Sequence, residues 1–121
     1  MARATLTRTT PLGPYPTLQP AADALDLVMT AADVANSNQF LLDGPCILIA
    51  QNTDGASART FTLTSIADPQ NRTGDVTAYS VGIGEVAAFK IDQTAGWKQT
   101  DGYMYLSGSN ANLKFGIIRL G

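Results

Sequence analysis

The sequence contains no histidine and only one cysteine among its 121 residues. The absence of histidine removes the commonest general base and, with it, Ser-His triads and most zinc and iron sites. Because Cys46 has no second cysteine to pair with, an internal disulfide and a cysteine-ligated zinc site are excluded as well. We therefore expect a protein that is not an enzyme and holds no cofactor or metal, in which Cys46 is a buried core residue.

Charged residues are also scarce. They make up 15% of the chain, the net charge is −2 and no basic cluster occurs, which argues against nucleic acid as a partner. Apolar residues make up 45%, which favours a folded chain over a disordered one. A surface with so little charge is typical either of a protein covered in part by a partner or of a small β domain rich in threonine, serine and asparagine.

Long apolar runs are missing from the chain. No stretch is long enough to span a membrane, and the first twenty residues lack the apolar segment of a signal peptide. The sequence therefore predicts a protein that does not act at a membrane. We expect it to be made in a cytoplasm and to stay there or in a particle assembled there.

Residues 1–20 differ in composition from the rest. They carry Arg3, Arg8 and no acidic residue, and proline recurs at positions 11, 14, 16 and 20. Proline fixes φ and pushes the preceding residue to extended geometry, so this pattern predicts an extended arm with polyproline-like character. At roughly 3.3 Å per residue such an arm could reach about 60 Å and would bury little against its own body. A disordered tail is the alternative.

Residues 21–121 have the pattern of a single all-β domain. Short β-branched and apolar runs alternate with turn residues, and no helix of normal length fits. The spacing predicts one antiparallel sandwich or jelly-roll-like barrel of about eight strands. The predicted strands cover residues 25–30, 40–42, 46–51, 59–66, 76–81, 85–91, 103–108 and 113–120, with a hairpin turn at 82–84.

Three motifs in the predicted loops do not indicate a binding or modification site. Residues 68–75 hold two aspartates but lack the oxygen spacing of a calcium loop. Residues 82–87 match G-x-G-x-x-A, yet a strand pattern follows where a dinucleotide site needs a helix. The sequon at Asn71 has no secretory signal to give it meaning.

Two residues stand out as candidate contacts. Arg72, in the sequence RTGD at 72–75, either pins its loop by pairing with a nearby aspartate or reaches an acidic partner. Trp97 is the single tryptophan, a residue type enriched at interface centres, although it would equally serve as a lid on one end of the barrel.

From residue 40 to 120 the chain resembles small proteins encoded among phage and prophage head genes. The shared pattern consists of an N-T-G-like turn at 52–55, RTGD at 72–75, GW at 96–97 and a final LKFGIIRL strand at 113–120. These proteins look like capsid decoration, or cement, proteins, which bind the outer shell and stabilise it. The resemblance implies no catalytic residue, and it does not include the N-terminal arm.

A decoration role implies a set of partners and contacts. The partners would be the major capsid protein and copies of this chain, with a trimer as the first expectation and a monomer or dimer as alternatives. The protein would be made in the host cytoplasm and lie on the outer capsid surface of the virion. We expect the arm and two body residues to contact the capsid: Arg3, Leu6, Arg8, Leu12, Tyr15, Arg72 and Trp97.

Two other functions fit the same sequence. One is a different virion part, such as a head-tail connector or tail protein. The other is a jelly-roll module that binds glycans through exposed aromatic, amide and carboxylate groups, for which the candidates are Trp97, Gln99, Asp101 and Tyr103.

Overall fold

Every regular element in the computed structural model, which describes residues 3–10, 26–67, 70 and 73–120, is a β-strand. The strands pair into two mixed sheets of five strands each, so the predicted all-β class is confirmed. The ten strands are β1 (Ala4–Thr5), β2 (Arg8–Thr9), β3 (Thr30–Ala31), β4 (Asn38–Leu41), β5 (Cys46–Asn52), β6 (Arg59–Thr64), β7 (Val76–Val81), β8 (Val86–Ile91), β9 (Tyr103–Gly108) and β10 (Leu113–Arg119).

The first sheet has the strand order β1-β4-β9-β6-β7. The second has the order β2-β10-β5-β8, and β3 pairs with β10 on the same side as β2. Two pairs are parallel, β1 with β4 and β2 with β10, whereas the others are antiparallel. The predicted purely antiparallel arrangement is wrong for these two pairs, because the N-terminal segment runs in the same direction as the strand it joins in each sheet.

The described part of the predicted arm, residues 3–10, packs on the body. It adds β1 to the first sheet, crosses over, and adds β2 to the second. At the crossing, the Leu6 amide donates to the Gln39 carbonyl at 2.8 Å and the Leu6 side chain is buried in the core. The expectation that this segment buries little against its own body is therefore wrong for residues 3–10, while residues 11–20 lie outside the described part. The division of the chain at residue 20 stays a prediction.

The main strands follow the alternation seen in the sequence. In β5, every second residue from Cys46 to Asn52 is buried, and the strand lies between β10 and β8 as a central strand should. Phe61 on β6 contacts Phe89 on β8 and Phe115 on β10, with ring centroids 5.5 and 5.8 Å apart. One apolar core therefore joins the two sheets. Burial raises the pKa of Cys46 to about 11, which keeps this thiol protonated and inert.

The strand expected at residues 25–30 is mostly absent. The described residues from 26 onward form only the two-residue strand β3, and residue 25 lies outside the described part. β2 pairs with β10 at Ile117 and Ile118, which are the positions that a longer β3 would need. A Cβ placed on Gly116 of β10 would lie 2.5 Å from the Met29 sulfur and 3.2 Å from Leu27. The side chains of this segment thus lie over a glycine of β10, and only β3 continues beside that strand.

The turn at Gly82–Gly84 does not close a hairpin, contrary to the expectation from sequence. β7 pairs with β6 in the first sheet and β8 pairs with β5 in the second, so this turn carries the chain between sheets. Asn52, at the end of β5, stabilises the crossing. Its buried side-chain amide donates to the Val81 carbonyl at 3.0 Å, and its backbone N–H donates to the Glu85 carbonyl at 3.0 Å.

A second polar group supports the same region. The Asp54 carboxylate accepts hydrogen bonds from the Ala56 amide at 2.8 Å and from Arg59 Nε at 2.7 Å, and the side chain is 8% exposed. The Ala56 hydrogen bond and then the Arg59 hydrogen bond lower the pKa of Asp54 from 3.8 to about 2. Because these bonds favour the ionised form in the folded state, Asp54 stabilises the fold fully above about pH 4. This contribution is lost as the pH falls toward 2.

We predict that Asp54→Asn lowers the free energy of unfolding at pH 7, and that the difference from the unmodified protein shrinks steadily between pH 4 and pH 2. Urea unfolding at a series of pH values measures this difference. Asp92→Asn is the control, because the Asp92 side chain is 71% exposed in its pair with Lys90. A difference for Asp54→Asn that stays constant down to pH 2 would contradict the assigned role of the carboxylate.

Candidate partner-binding site

One end of the core is bounded by strands that have a neighbour on only one side. β7 is the last strand of the first sheet and β8 is the last strand of the second. The Tyr79 ring on β7 crosses to the Phe89 ring on β8, with centroids 5.1 Å apart and planes at 80°. Tyr79 is nevertheless 43% exposed, so this aromatic contact covers the end of the core only in part.

The loop after β8 places Trp97 beside this end. The Trp97 and Lys98 amides both donate to the Thr94 carbonyl, which forms a tight turn with Gly96 at a φ of 89°. The Gly96 carbonyl accepts from the Ile66 amide at 2.8 Å, and the Gln99 side-chain amide donates to the carbonyls of Thr64 and Ser65. These bonds attach the loop to the end of β6 and hold Trp97 half-buried against the core.

An apolar cleft lies between Trp97 and the two edge strands. Its volume is about 400 Å³. The lining is apolar and aromatic except for one charged residue, Lys90, whose ammonium lies 3.2 Å from an Asp92 carboxylate oxygen. We call it the Trp97 cleft, and its lining residues are Leu63, Val76, Ala88, Phe89, Lys90, Ile91 and Trp97. A cleft of this kind suits an apolar side chain of a partner better than a reacting substrate.

A more polar hollow of about 300 Å³ lies against Trp97 as well. It is bounded by the loop that precedes β7 and by the loop that follows β8. The residues that line it are Ser65, Thr73, Gly74, Gln93, Ala95, Gly96 and Trp97. Trp97 therefore takes part in both hollows.

The RTGD loop is held by its own aspartate. Asp75 accepts hydrogen bonds from the Ser65 amide and the Ser65 hydroxyl, both at 2.8 Å, and the Gly74 amide donates to that hydroxyl at 2.9 Å. The two bonds from Ser65 lower the pKa of Asp75 below its ordinary value. The carboxylate thus fixes the loop against the end of β6. Arg72, Asp68 and Asn71 lie outside the described residues.

The predicted arm contacts have partners within the same chain. Arg3 donates to the backbone carbonyls of Asn38 and Leu106, and its guanidinium carbon lies 4.2 Å from the centre of the Tyr105 ring. Leu6 is 4% exposed, as part of the core. Leu12 and Tyr15 lie outside the described residues, so Trp97 is the predicted contact that the structure places at an accessible cleft.

Arg8 takes part in an ion pair that joins the two ends of the chain. Its guanidinium donates to an Asp43 carboxylate oxygen at 2.6 Å, and Arg119 approaches the other oxygen at 3.8 Å. Burial favours a raised pKa for Asp43, but the hydrogen bond and charge of Arg8, with the charge of Arg119, hold the pKa below its ordinary value. Arg8 therefore has an internal role in attaching β2 to the body.

The residues proposed for glycan binding also have internal partners. The Gln99 amide is used in the loop attachment described above. The Asp101 carboxylate accepts from the Tyr103 amide and from the Tyr105 hydroxyl, and the Tyr105 bond lowers the pKa of Asp101. These contacts leave Trp97 as the member of that set that lines an open cleft.

The sequence alone did not single out Tyr79 and Phe89. Both lie in strands that were predicted correctly, but the prediction did not say that these strands would be the last of their sheets. The sequence held a weak signal for Phe89 only, because the alternation in β8 places Phe89 on the same face as Ala87. In the structure this face is half-buried, while Val86, Ala88 and Lys90 on the other face are exposed.

Two classes of site were also sought in the described residues. Over these ranges no three histidine, cysteine, aspartate or glutamate side chains lie together as a metal site would need. No helix in the same part of the chain is long and apolar enough to cross a membrane.

Comparison of the chain with protein-family models, with curated proteins and with solved structures gives no match. The resemblance to phage head proteins therefore depends on the residue pattern alone. What the structure adds is the position of the candidate contacts that lie in its described part, Arg3, Leu6, Arg8 and Trp97.

We predict that Leu6→Ala destabilises the isolated protein by about 2–5 kcal/mol, because it removes a buried side chain from the point where the chain crosses between sheets. Chemical denaturation measures the change, and Thr7→Ala, at an exposed neighbouring position, should leave stability almost unchanged. Full stability of Leu6→Ala would show that residues 3–10 do not pack on the body in solution.

Proposed function

We propose that this protein is a capsid decoration protein, which binds the outer surface of an assembled phage head and stabilises contacts between major capsid subunits. The observation that carries the proposal is the Trp97 cleft: an apolar hollow, beside a half-exposed aromatic pair, at an end of the core where both sheets have unpaired edges. Aromatic residues in partly open pockets are the usual anchors of protein–protein contacts.

Three further features support a structural role. The described residues form strands and connecting loops around a shared core, and the polar side chains near Trp97 are used to hold loops in place. The chain contains no histidine for general acid–base chemistry. The motifs at 52–55, 72–75, 96–97 and 113–120 resemble those of small phage head proteins. We accordingly propose that it is not an enzyme.

We also propose that the two sheets form a β-sandwich of jelly-roll-like type. The support for this finer assignment is the ring contacts that join β6 to β8 and β10 across the core. Such a module presents its connecting loops and edge strands to partners while the core stays constant.

The proposed partners are the major capsid protein and further copies of this chain, with no role for nucleic acid or membrane. The protein would be made in the host cytoplasm and lie on the outer capsid surface of the virion. Of the capsid contacts expected from the sequence, Trp97 becomes the principal one. Leu12, Tyr15 and Arg72 stay predictions, whereas Arg3, Leu6 and Arg8 have internal partners.

A mass-action argument explains how such binding would stabilise a shell. A ligand that binds the assembled state and not the separated subunits shifts the equilibrium toward assembly by an amount that grows with its concentration over Kd. Many weakly bound copies on one shell would therefore together raise the temperature that the shell tolerates.

A jelly-roll glycan-binding module is the second candidate function, favoured by the polar hollow that adjoins Trp97.

We predict that Ala95→Glu reduces binding to purified heads that lack the protein by about tenfold or more, because it places a charge that must be desolvated beside Trp97. Ala95 is exposed, so the fold should be unaffected. Cosedimentation with heads measures the binding, and the loss of added heat tolerance should accompany it. Ala58→Glu adds the same charge at an exposed position before β6 and serves as the control.

Two results would contradict the proposal. Equal binding by the Ala95→Glu and Ala58→Glu proteins would show that the surface beside Trp97 is not part of the capsid contact. Failure of the unmodified protein to bind heads, together with quenching of Trp97 fluorescence by oligosaccharides, would replace the decoration role with glycan binding.

A further inference from the structure

No described strand pairs with the outer edge of β8, which carries a regular set of backbone groups. The Asn52 amide donates to the Glu85 carbonyl, so Glu85 faces β5. Because hydrogen-bonded and non-bonded pairs alternate along an antiparallel ladder, Ala87, Phe89 and Ile91 also bond to β5. The N–H and C=O groups of Val86, Ala88 and Lys90 therefore point away from the sheet.

This edge has little protection against pairing. β8 contains no proline, and its register with β5 runs without a break from Val86 to Ile91. Its one charged residue, Lys90, has its ammonium paired with Asp92. The neighbouring edge, β7, is irregular by contrast: its register with β6 shifts between Phe61 and Leu63, and Ala78 has a φ of 51°. On the opposite side of the sheets, the N-terminal strands β1 and β2 cover β4 and β10.

We propose that β8 of a second copy of this chain pairs with this edge, antiparallel and about a twofold axis at Ala88. In that register Ala88 lies opposite Ala88 of the second copy, and Val86 lies opposite its Lys90 in both directions. All the outward-facing backbone groups of the three residues are then satisfied. Three residue pairs that exchange two bonds each give about six hydrogen bonds.

No neighbouring register gives hydrogen-bond partners to as many of the outward-facing backbone groups of β8. A twofold axis at Ala87 or at Phe89 also places bonding groups opposite each other, but it pairs only two of the three outward-facing residues within β8. An axis between two residues would set a core-facing side chain opposite an exposed one, which the twofold geometry of an antiparallel pair does not allow. The hydrogen-bonding pattern thus selects a single self-pairing.

The side chains fit this register on both faces. On the core face, the half-buried Phe89 lies opposite Ala87 of the second copy, so a large residue meets a small one twice. On the outer face, Val86, which is 58% exposed, lies opposite the aliphatic stem of Lys90. No two like charges lie opposite each other. The half-covered end of the core would then continue into the same end of the second copy, which is a closed twofold contact.

This inference concerns the isolated protein. Because Ala88, Phe89 and Lys90 also line the Trp97 cleft, capsid binding there would replace the self-pairing and not add to it. The chain has a mass of 12.7 kDa, so equilibrium sedimentation at micromolar concentration should give twice that mass for the unmodified protein. Ala88→Glu should give the monomer mass, because it sets two carboxylates directly opposite each other. Ser80→Glu, an exposed position on β7, should keep the dimer mass.

A mixture tests the register itself. Ala88→Glu mixed with Ala88→Lys should recover the dimer mass, since unlike charges then lie opposite each other at the twofold axis. The amides of Val86, Ala88 and Lys90 should exchange slowly with solvent in the unmodified protein and rapidly in Ala88→Glu. A monomer mass for the unmodified protein, or a dimer or trimer mass that Ala88→Glu leaves intact, would overturn the proposal.

Discussion

The hydrogen bonds of Asn52 hold the crossing between the two sheets, on which the open edges of β7 and β8 depend. Its side-chain amide binds the Val81 carbonyl at the end of β7, and its backbone amide binds the Glu85 carbonyl at the start of β8. One buried residue thus holds the chain where it leaves the first sheet and enters the second. As a result β7 and β8 face each other across the core and do not pair, and each of them keeps one edge that no strand of the described ranges pairs with. The Trp97 cleft and the free edge of β8 both follow from this crossing.

The two ends of the core differ in how far the chain itself covers them. At one end the N-terminal segment crosses between sheets, buries Leu6 and covers β4 and β10, and the Arg8–Asp43 pair attaches it further. At the other end the Tyr79–Phe89 contact covers the core only in part, since Tyr79 is 43% exposed. An end of the core that is only partly covered costs stability in the isolated chain, because apolar surface stays in contact with water. A partner that covers it would recover that free energy.

The strands were predictable from the sequence to the extent that their signals are local. Alternating apolar and β-branched residues correctly marked the strand at residues 46–51 and the strands at 76–81 and 103–108, whose ends are set by turn residues nearby. Pairing between strands depends on contacts far apart in sequence, which no local pattern encodes. For this reason the sequence predicts a hairpin at 82–84 and an extended arm at the N-terminus, whereas the structure has a crossing between sheets at the first and two short strands, β1 and β2, in the second.

The candidate site was predictable only in part for the same reason. Trp97 was recognisable because it is the single tryptophan in a loop of polar residues, whereas the importance of Tyr79 and Phe89 depends on their strands being the last of each sheet. The arginines of the N-terminal segment show what a local pattern leaves out. Arg3 and Arg8 stay predicted capsid contacts, and the structure adds that their guanidinium groups bind carbonyls, a tyrosine ring and Asp43 of the same chain.

We propose that this protein decorates an assembled shell, with the end of the core that contains Trp97 turned toward it. Cryo-electron microscopy of purified particles tests this claim most directly, because it gives both the copy number and the orientation of the protein. We expect hundreds of copies on the outer surface, with Trp97 at the contact with the major capsid protein. About a dozen copies at one vertex, or no copies at all, would contradict it.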